Sequence, residues 1–272
     1  DLSENGKQPM QDHTGRYTIT FNGEIYNYRE LREELRSEYP FRTESDTEVL
    51  LAAYALWGMS MFARLRGIFA FGIWDRDTKT LTLARDHMGV KPLYYRIHDG
   101  VLAFSSELSP LVSLDGTPTL CEESVGFYLA MEYVPSPRTL IQGIEKLPPG
   151  HVFTWKDSTA STRSFMDPYR TEGGVGEGVL YKTIDEAVKR QLVSDRPVGA
   201  YLSGGSDSSI VVHHMTKHTP HTRTYSVDFE AVKGEEAEAE KFNMDARLAV
   251  QTARVFGTEH KTLTIGLDAV RT

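Results

Sequence analysis

Hydrophobic and polar residues alternate along residues 16–21, RYTITF, as they do in a strand with one buried face. Asn22 and Gly23 follow, a pair typical of tight backbone bends, so a turn is expected there. Apolar residues then recur at helical spacing over 28–35. Ser45, with a glutamate three residues later, forms a capping-box pattern ahead of a second apolar run. The pattern predicts one strand followed by two helices.

Short runs rich in β-branched and aromatic residues fill positions 67–108, separated by polar turns such as RDTK and HDG. They predict an antiparallel meander. Together with the preceding elements, they predict an α+β sandwich domain over residues 1–165. The proline-rich segments 132–140 and 145–153 are expected to form a crossover to the next domain.

Helices and strands are predicted to alternate over the remaining residues, 166–272, which favours a partial α/β doubly wound parallel sheet. The predicted elements are, in order, a helix at 179–192, a buried strand at 198–202, a helix at 208–215, a strand at 224–229, a helix at 243–256 closed by Gly257, and a strand at 260–265.

Composition and charge narrow the classes of function. The 272 residues are 40% hydrophobic, and 30 basic against 38 acidic residues give a formal charge of -8. This balance disfavours a nucleic-acid partner but permits a local anion site. No apolar run approaches the ~20 residues that cross a bilayer, and the polar first residues do not form a signal peptide. A single cysteine excludes internal disulfides, and we expect a soluble cytoplasmic protein without a membrane partner.

The stretch 200–209, AYLSGGSDSS, has the composition of a flexible linker or of a phosphate-binding loop. It lies between a predicted buried strand and a predicted helix, which disfavours a linker. At such a junction, free backbone N–H groups and the helix dipole favour an anion, and hydroxyls of Ser203, Ser206 and Ser208 could add donors. No lysine follows the glycines, so the loop is not a Walker A motif.

Asp207 places a carboxylate inside this predicted anion site. A divalent cation between phosphate and carboxylate would remove the repulsion, so Mg²⁺ with a nucleotide is the expected ligand. The alternative is that Asp207 is an ordinary helix N-cap, a role that aspartate often has.

Residues 22–27, NGEIYN, are open to two interpretations, a plain strand-to-helix connection or a catalytic segment. The Asn22 amide and the Gly23 N–H form a donor pair suited to an oxyanion. Glu24 and Asp46 are two carboxylates that could converge on an ammonium group. Such a combination suits an amino-acid amide as substrate.

The stretch LSGGSDSS resembles the pyrophosphate loop of the ATP pyrophosphatases, which have an adenine-nucleotide α-hydrolase-like fold. The resemblance implies ATP and Mg²⁺ as ligands, with Asp207 on the metal and Val227 beside adenine. Asp228 departs from the glycine that relatives often carry. The residues implied to bind the nucleotide are Leu202, Ser203, Gly204, Gly205, Ser206, Asp207, Ser208, Ser209 and Val227.

The stretches FNGEIYNYRELR, TESDTEVLL, RGIFAFGIWD and RDHMGVKPLYY resemble, in this order, the class II glutamine amidotransferase domain, of N-terminal-nucleophile amidohydrolase type. The order of both domains is similar to that of glutamine-hydrolysing asparagine synthetase. The resemblance implies that Asn22 and Gly23 form the oxyanion hole and that Glu24 and Asp46 hold the glutamine amino group. Three further motif residues are expected to organise a turn: Arg85, Asp86 and Gly89.

The resemblance implies that glutamine supplies ammonia to amidate aspartate through an aspartyl-AMP intermediate formed from ATP. The family's nucleophile is an N-terminal cysteine, and an arginine near it grips the glutamine carboxylate. We expect this chain to begin after both, so that the fragment alone is inactive. Cys121 is internal and is expected to be an incidental thiol.

Three alternatives stay open. The same fold could amidate another acceptor, as in β-lactam synthetases or surface-polysaccharide amidotransferases, or the chain could be a non-catalytic nucleotide-binding protein. A homodimer is also open.

His214 and His218 have the i, i+4 spacing of a metal pair, but solvated helix histidines are the favoured interpretation.

Overall fold

A computed structural model describes residues 6–114, 117–166, 176–230 and 243–266. The chain divides into two compact units, Asp1–Arg170 and Thr171–Thr272. The sequence pattern places its division nearby, between residues 165 and 166. None of the helices in the described part of the chain is long and apolar enough to span a membrane. Residues 233–241, KGEEAEAEK, a charged run that predicts a solvated loop leading into a helix, lie outside the described residues.

The first unit contains two antiparallel sheets and several helices. One sheet has six strands in the order β1-β2-β3-β4-β8-β9, and the other has three in the order β6-β5-β7. The strands are β1 Met10–Gln11, β2 Tyr17–Ile25, β3 Gly67–Asp75, β4 Thr80–Arg85, β5 Tyr94–His98, β6 Val101–Ser105, β7 Ile144–Lys146, β8 His151–Lys156 and β9 Thr159–Ser164. The helices are α1 Tyr28–Leu35, α2 Asp46–Trp57, a 3₁₀ segment Gly58–Ala63, α3 Leu108–Val112 and α4 Glu122–Met131.

Strand β3 separates two hydrophobic cores because its successive side chains point to opposite faces of the sheet. Phe69 and Phe71 pack in one core with apolar residues of α1 and α2. Ala70 packs in the other, with residues of β5 and β8 such as Tyr95 and Phe153. The six-stranded sheet is therefore covered on both faces, and the predicted α+β sandwich is confirmed.

The predicted meander is wrong in one respect, since its strands lie in two sheets. β4 pairs with β3 and β8, whereas β5 pairs with β6 and β7. The chain leaves the first sheet at the end of β4, where the buried Asp86 carboxylate accepts N–H bonds from Met88, Val90 and Lys91. These bonds fold the backbone into a tight loop and direct β5 away from β4.

The loop after β4 also confirms the structural role expected of three motif residues. The Arg85 guanidinium donates to the carbonyl oxygens of Lys91, Leu147 and Gly89 at 2.7–2.8 Å. Gly89 has φ +65°, a conformation that favours glycine. Asp86 also accepts from the Phe69 N–H of β3, which fastens the loop to the neighbouring strand.

The turn predicted at Asn22 and Gly23 is also wrong, because β2 continues without interruption to Ile25. Gly23 has φ +153° and lies against β3, where an added Cβ would be 2.1 Å from the carbonyl oxygen of Ile68. The glycine is therefore required by the close approach of two strands and not by a turn.

Only one of the two hydrogen bonds of the predicted capping box forms. The Ser45 hydroxyl accepts from the Thr47 N–H, as an N-cap does. Glu48 is buried and accepts instead from the backbone N–H groups of Arg42 and Thr43. It thus fixes the loop before α2 and does not reach back to Ser45.

The second unit contains a parallel sheet of three strands in the order β10-β11-β12. This confirms the predicted partial parallel sheet, with helix and strand alternating. One expectation is wrong: the strand at 198–202 is not buried, since Tyr201 is 79% exposed and only Leu202, just after the strand, is fully covered. The elements are α5 Glu177–Gln191, β10 Gly199–Tyr201, α6 Ser206–His218, β11 Arg223–Phe229, α7 Met244–Phe256 and β12 Glu259–Ile265.

Asp86→Asn tests the dependence of the first unit on the buried carboxylate. The amide would turn two donor hydrogens toward backbone N–H groups that the carboxylate satisfies, so we expect a loss of about 3 kcal/mol in the free energy of unfolding. Urea titrations followed by tryptophan fluorescence measure this, because Trp57, Trp74 and Trp155 all lie in the first unit. Asp99→Asn is the matched control, as the Asp99 side chain is 88% exposed. Equal stability of the two variants would contradict the assigned role.

Candidate functional site

The candidate residues of the first unit gather at the end of β2. Asn22 and Glu24 are two residues apart on this strand and therefore share a face, where both are exposed. Asn22 lines a cleft of about 380 Å³ between the two sheets. Sequence reasoning missed the polar residues that line it with Asn22, since single serines and threonines carry no pattern: Gln8, Thr20, Ser105 and Ser106.

Asp46 is brought to the same strand end by a backbone hydrogen bond. The Ile25 N–H of β2 donates to Asp46 Oδ2 at 3.0 Å, and Asp46 is the first residue of α2. Two acidic residues therefore lie at this junction, Glu24 on the strand and Asp46 on the helix. Burial raises the pKa of the Asp46 carboxyl, and the bond from Ile25 opposes this in part. The fold thus holds a carboxylate where burial disfavours its charge.

The tail of the NGEIYN segment has a structural role. The Asn27 side chain accepts from the Arg66 N–H at 2.9 Å and donates to the Arg64 carbonyl oxygen at 2.9 Å. It joins the residues after β2 to those before β3. The end of the segment is therefore a connection, whereas its first residue, Asn22, lines the cleft.

In the second unit, the glycine-rich loop joins β10 to α6, as the sequence predicts. The Leu202 N–H donates to the Tyr225 carbonyl oxygen, which aligns the loop with β11. Gly204 has φ +79°, and an added Cβ there would be 2.5 Å from the Cβ of Leu248 in α7. Any other residue at this position would push the loop away from α7.

The N-terminus of α6 has the features of an anion site. Its N-cap is Gly205, and no side chain of the described residues caps the first-turn N–H groups. The structure changes one expectation, because the hydroxyls of Ser203 and Ser208 lie 3.0 Å apart and Ser208 also donates to the Gly205 carbonyl oxygen. These hydroxyls shape the loop itself.

Asp207 lies in the first turn of α6, two residues after the N-cap, so the alternative role as N-cap is wrong. Its side chain is exposed on the same helix end as the free N–H groups. Val227 lies on β11, 36% exposed, beyond the point where Leu202 meets that strand. Ligands of parallel sheets bind at this carboxyl edge, so the predicted residues share one edge.

A side chain that sequence reasoning missed holds the end of β11. The Asn243 amide accepts from the Phe229 N–H at 2.9 Å and donates to its carbonyl oxygen at 2.8 Å. The Asp228 carboxylate also contacts the Phe229 N–H at 2.9 Å. The one signal in the sequence for this contact is an asparagine just before a helix, and that position predicts a helix N-cap instead.

Cys121 lies at the N-cap of α4 and is not among the residues that line the cleft. The neighbouring Ser124 lowers the pKa of its thiol. His214 contradicts the expectation of solvated histidines, because it is 2% exposed and bonded to Asp185 of α5. Among the described residues, no group of three potential ligands could hold a metal ion.

Known proteins resemble the chain over both units. Residues 1–166 match the family model of the glutamine amidotransferase domain, and residues 180–271 match that of asparagine synthase. Asparagine synthetase [glutamine-hydrolyzing] 1 of Bacillus subtilis (strain 168) is 40% identical over 233 residues, covering 84% of this chain and 37% of that protein. A putative asparagine synthetase of Mycobacterium tuberculosis (strain ATCC 25618 / H37Rv) is 34% identical over 268 residues, covering 93% and 40%.

The amidase chry2 of Gibberella zeae is 34% identical over 230 residues, covering 80% of this chain and 34% of that protein. This chain therefore spans well under half the length of these relatives. Since the amidotransferase model matches 166 of the 272 residues, the chain belongs to the glutamine amidotransferase family, with an asparagine synthase domain following.

Proposed function

We propose that the chain is part of a glutamine-hydrolysing asparagine synthetase. The observation that carries the proposal is that one chain holds both a strand end with an exposed asparagine beside two acids and an uncapped helix N-terminus after a glycine-rich loop. The relatives named asparagine synthetase match both units. Glutamine would be hydrolysed at the first site, and aspartate would be amidated with ATP at the second.

At the first site, each candidate residue would have a separate task. Glu24 and Asp46 would hold the glutamine amino group, because carboxylates attract an ammonium ion. The Asn22 amide and the Gly23 N–H would stabilise the oxyanion that forms when a nucleophile attacks the side-chain amide. The cleft beside Asn22 would receive the rest of the substrate.

The catalytic nucleophile of the first site is not expected to be Cys121. That thiol lies at the start of α4 and does not line the cleft, and acyl transfer requires a nucleophile within reach of the oxyanion donors. We therefore propose that residues 1–272 alone do not hydrolyse glutamine. The resemblance to class II amidotransferases indicates an N-terminal cysteine for this task.

At the second site, the described residues fit a nucleotide with its metal ion. The free N–H groups at the start of α6 would bind phosphate oxygens, and the exposed Asp207 would hold Mg²⁺. When bound, Mg²⁺ neutralises phosphate charge and removes the repulsion between phosphate and Asp207. Val227 would lie beside the adenine ring.

Activation by adenylation follows from the chemistry of the acceptor. A carboxylate is a poor electrophile, and transfer of AMP from ATP turns one of its oxygens into part of a leaving group. A loop that binds pyrophosphate favours attack at the α-phosphorus. Ammonia would then displace AMP from aspartyl-AMP and form asparagine.

A second acceptor class has support from one relative. The amidase chry2 matches 80% of this chain at 34% identity, and its name does not specify aspartate. The same two sites could therefore amidate another carboxylate. The product analysis below tests aspartate as the acceptor.

Product analysis tests the proposed reaction. In a chimera, this chain would replace the matching segment of the Bacillus subtilis relative. We expect asparagine, AMP and pyrophosphate from aspartate, glutamine and ATP, and Cys121→Ser should change no product. Ammonia release from glutamine alone would show that the first unit is folded. ADP as the stoichiometric product, or no amidation of aspartate despite ammonia release, would contradict the proposal.

Asp207→Ala tests the metal role in the isolated chain by calorimetry with ATP. With Mg²⁺, we expect the Kd of the variant to rise about tenfold, since a metal ligand is lost. Without Mg²⁺, the variant should bind at least as well as the wild type, because a negative charge near phosphate is removed. Asp245→Ala is the matched control, an exposed acid in the first turn of α7. An unchanged effect of Mg²⁺ in Asp207→Ala would remove Asp207 from this role.

Asp46→Asn tests whether the first unit holds a charge at the expense of stability. The folded-state pKa is raised, so the contribution of Asp46 is most favourable when it is protonated and is lost as pH rises from 3.8 through the folded value. Asparagine stays neutral and can still accept from Ile25. We expect its stability relative to wild type to increase between about pH 4 and about pH 7 in fluorescence-monitored urea titrations. The exposed Asp157→Asn should show no such trend, and the opposite slope would mean that a cation pairs with Asp46.

A further inference from the structure

One carboxylate joins helices α5 and α6 of the second unit. Asp185 Oδ1 of α5 accepts from His214 Nδ1 at 2.8 Å. His218 Nε2 lies 3.1 Å from the same oxygen but without hydrogen-bond geometry, so His214 makes the directional contact. The two histidines are four residues apart on α6 and therefore share a face. We call Asp185, His214 and His218 the α5–α6 clamp.

The buried member of the clamp is His214, whereas the helix that provides the carboxylate, α5, is exposed. His214 is 2% exposed, whereas none of the described residues of α5 is buried. Leu180 and Tyr181 of α5 are each more than half exposed. Apolar burial therefore contributes little to holding α5, and the bond to a buried imidazole contributes more, because an unpaired buried polar group is costly.

Other side chains pack around the clamp, and the Asp185 carboxyl keeps its negative charge among them. Lys217 of α6 contacts the Tyr181 ring and hydroxyl, and the Tyr181 ring packs at a tilt against His214 with ring centroids 4.7 Å apart. His213 packs beside His214 and against Phe256 of α7. The hydrogen bond from His214 lowers the pKa of the Asp185 carboxyl, which is therefore ionised at neutral pH.

The opposite end of α6 carries the glycine-rich loop. α6 has 13 residues and is about 20 Å long, with the clamp on its last turns and the loop before its first. At the loop end, contacts come from Tyr225 of β11 and Leu248 of α7. Between its ends, α6 is anchored by Val212, which is buried in a core with Ala249 and Ala253 of α7. The clamp adds a fixed point beyond this core, on the last turns, and so restricts the remaining tilt of the helix that carries the loop.

We propose that Asp185 is a positioning residue that fixes α6 through His214 and His218 and thereby holds the N–H groups of the glycine-rich loop in place for phosphate. Its effect on the loop is independent of any ligand. Its effect on phosphate binding rests on the nucleotide site proposed above. Asp185 itself touches neither the loop nor the substrate in this arrangement.

Amide hydrogen exchange with Asp185→Leu tests the proposal without a ligand. We expect peptides over 203–209 to exchange about tenfold faster than in the wild type, while peptides over β11 keep their rates. Asp185→Asn should stay near the wild type, since its oxygen still accepts from His214. Glu186→Leu is the matched control on the next, exposed position of α5. If Asp185→Leu does not fold, His214→Phe removes the donor to Asp185 while keeping a ring of similar shape, with the same expected direction.

Unchanged exchange at 203–209 in a folded Asp185→Leu would overturn the proposal, as would an equal rise in every peptide of the second unit, which indicates a general loss of stability. Calorimetry with Mg-ATP adds a second readout, in which Kd should rise about tenfold in Asp185→Leu and not in Asp185→Asn. If the wild type binds no nucleotide, the proposed nucleotide site fails, and hydrogen exchange alone still decides the role of Asp185.

Discussion

The first unit depends on the buried Asp86 carboxylate, which satisfies four backbone N–H groups at the end of β4. One of these belongs to β3 and three belong to the loop that follows. Because the carboxylate keeps the loop compact, β5 cannot continue the first sheet and starts a second one. The cleft beside Asn22 exists because two sheets face each other there.

The two candidate sites share a construction although their folds differ. In each, a glycine lets a strand end or loop approach a neighbour closely, Gly23 against Ile68 and Gly204 against Leu248. In each, the first turn of a helix presents an acid, Asp46 in α2 or Asp207 in α6. Helix N-termini favour negative charge, so both acids lie where the backbone field supports them. Burial acts against this field at Asp46, and solvent surrounds Asp207.

Local periodicity was sufficient to predict the helices and parallel strands of the second unit and the α+β class of the first. It failed where a distant partner decides the conformation. Asn22 and Gly23 have the composition of a turn, but pairing with β3 keeps them extended. His214 has the polarity of a surface residue, but Asp185, 29 positions earlier, lets it be buried. The residues of both candidate sites came from motifs, whereas the cleft lining came only from the structure.

The bond pair between Asn243 and Phe229 limits which genetic changes this chain can accept. The side-chain amide reproduces what a neighbouring strand would offer, with one donor and one acceptor for the same residue. Aspartate has almost the same shape and is one nucleotide substitution from asparagine, but it would set an oxygen against the Phe229 carbonyl. Serine and lysine are also one nucleotide substitution away, but their side chains cannot supply both a donor and an acceptor at the distance that the asparagine amide reaches. Replacement of Asn243 is therefore expected to weaken the end of β11 even where the new residue looks conservative.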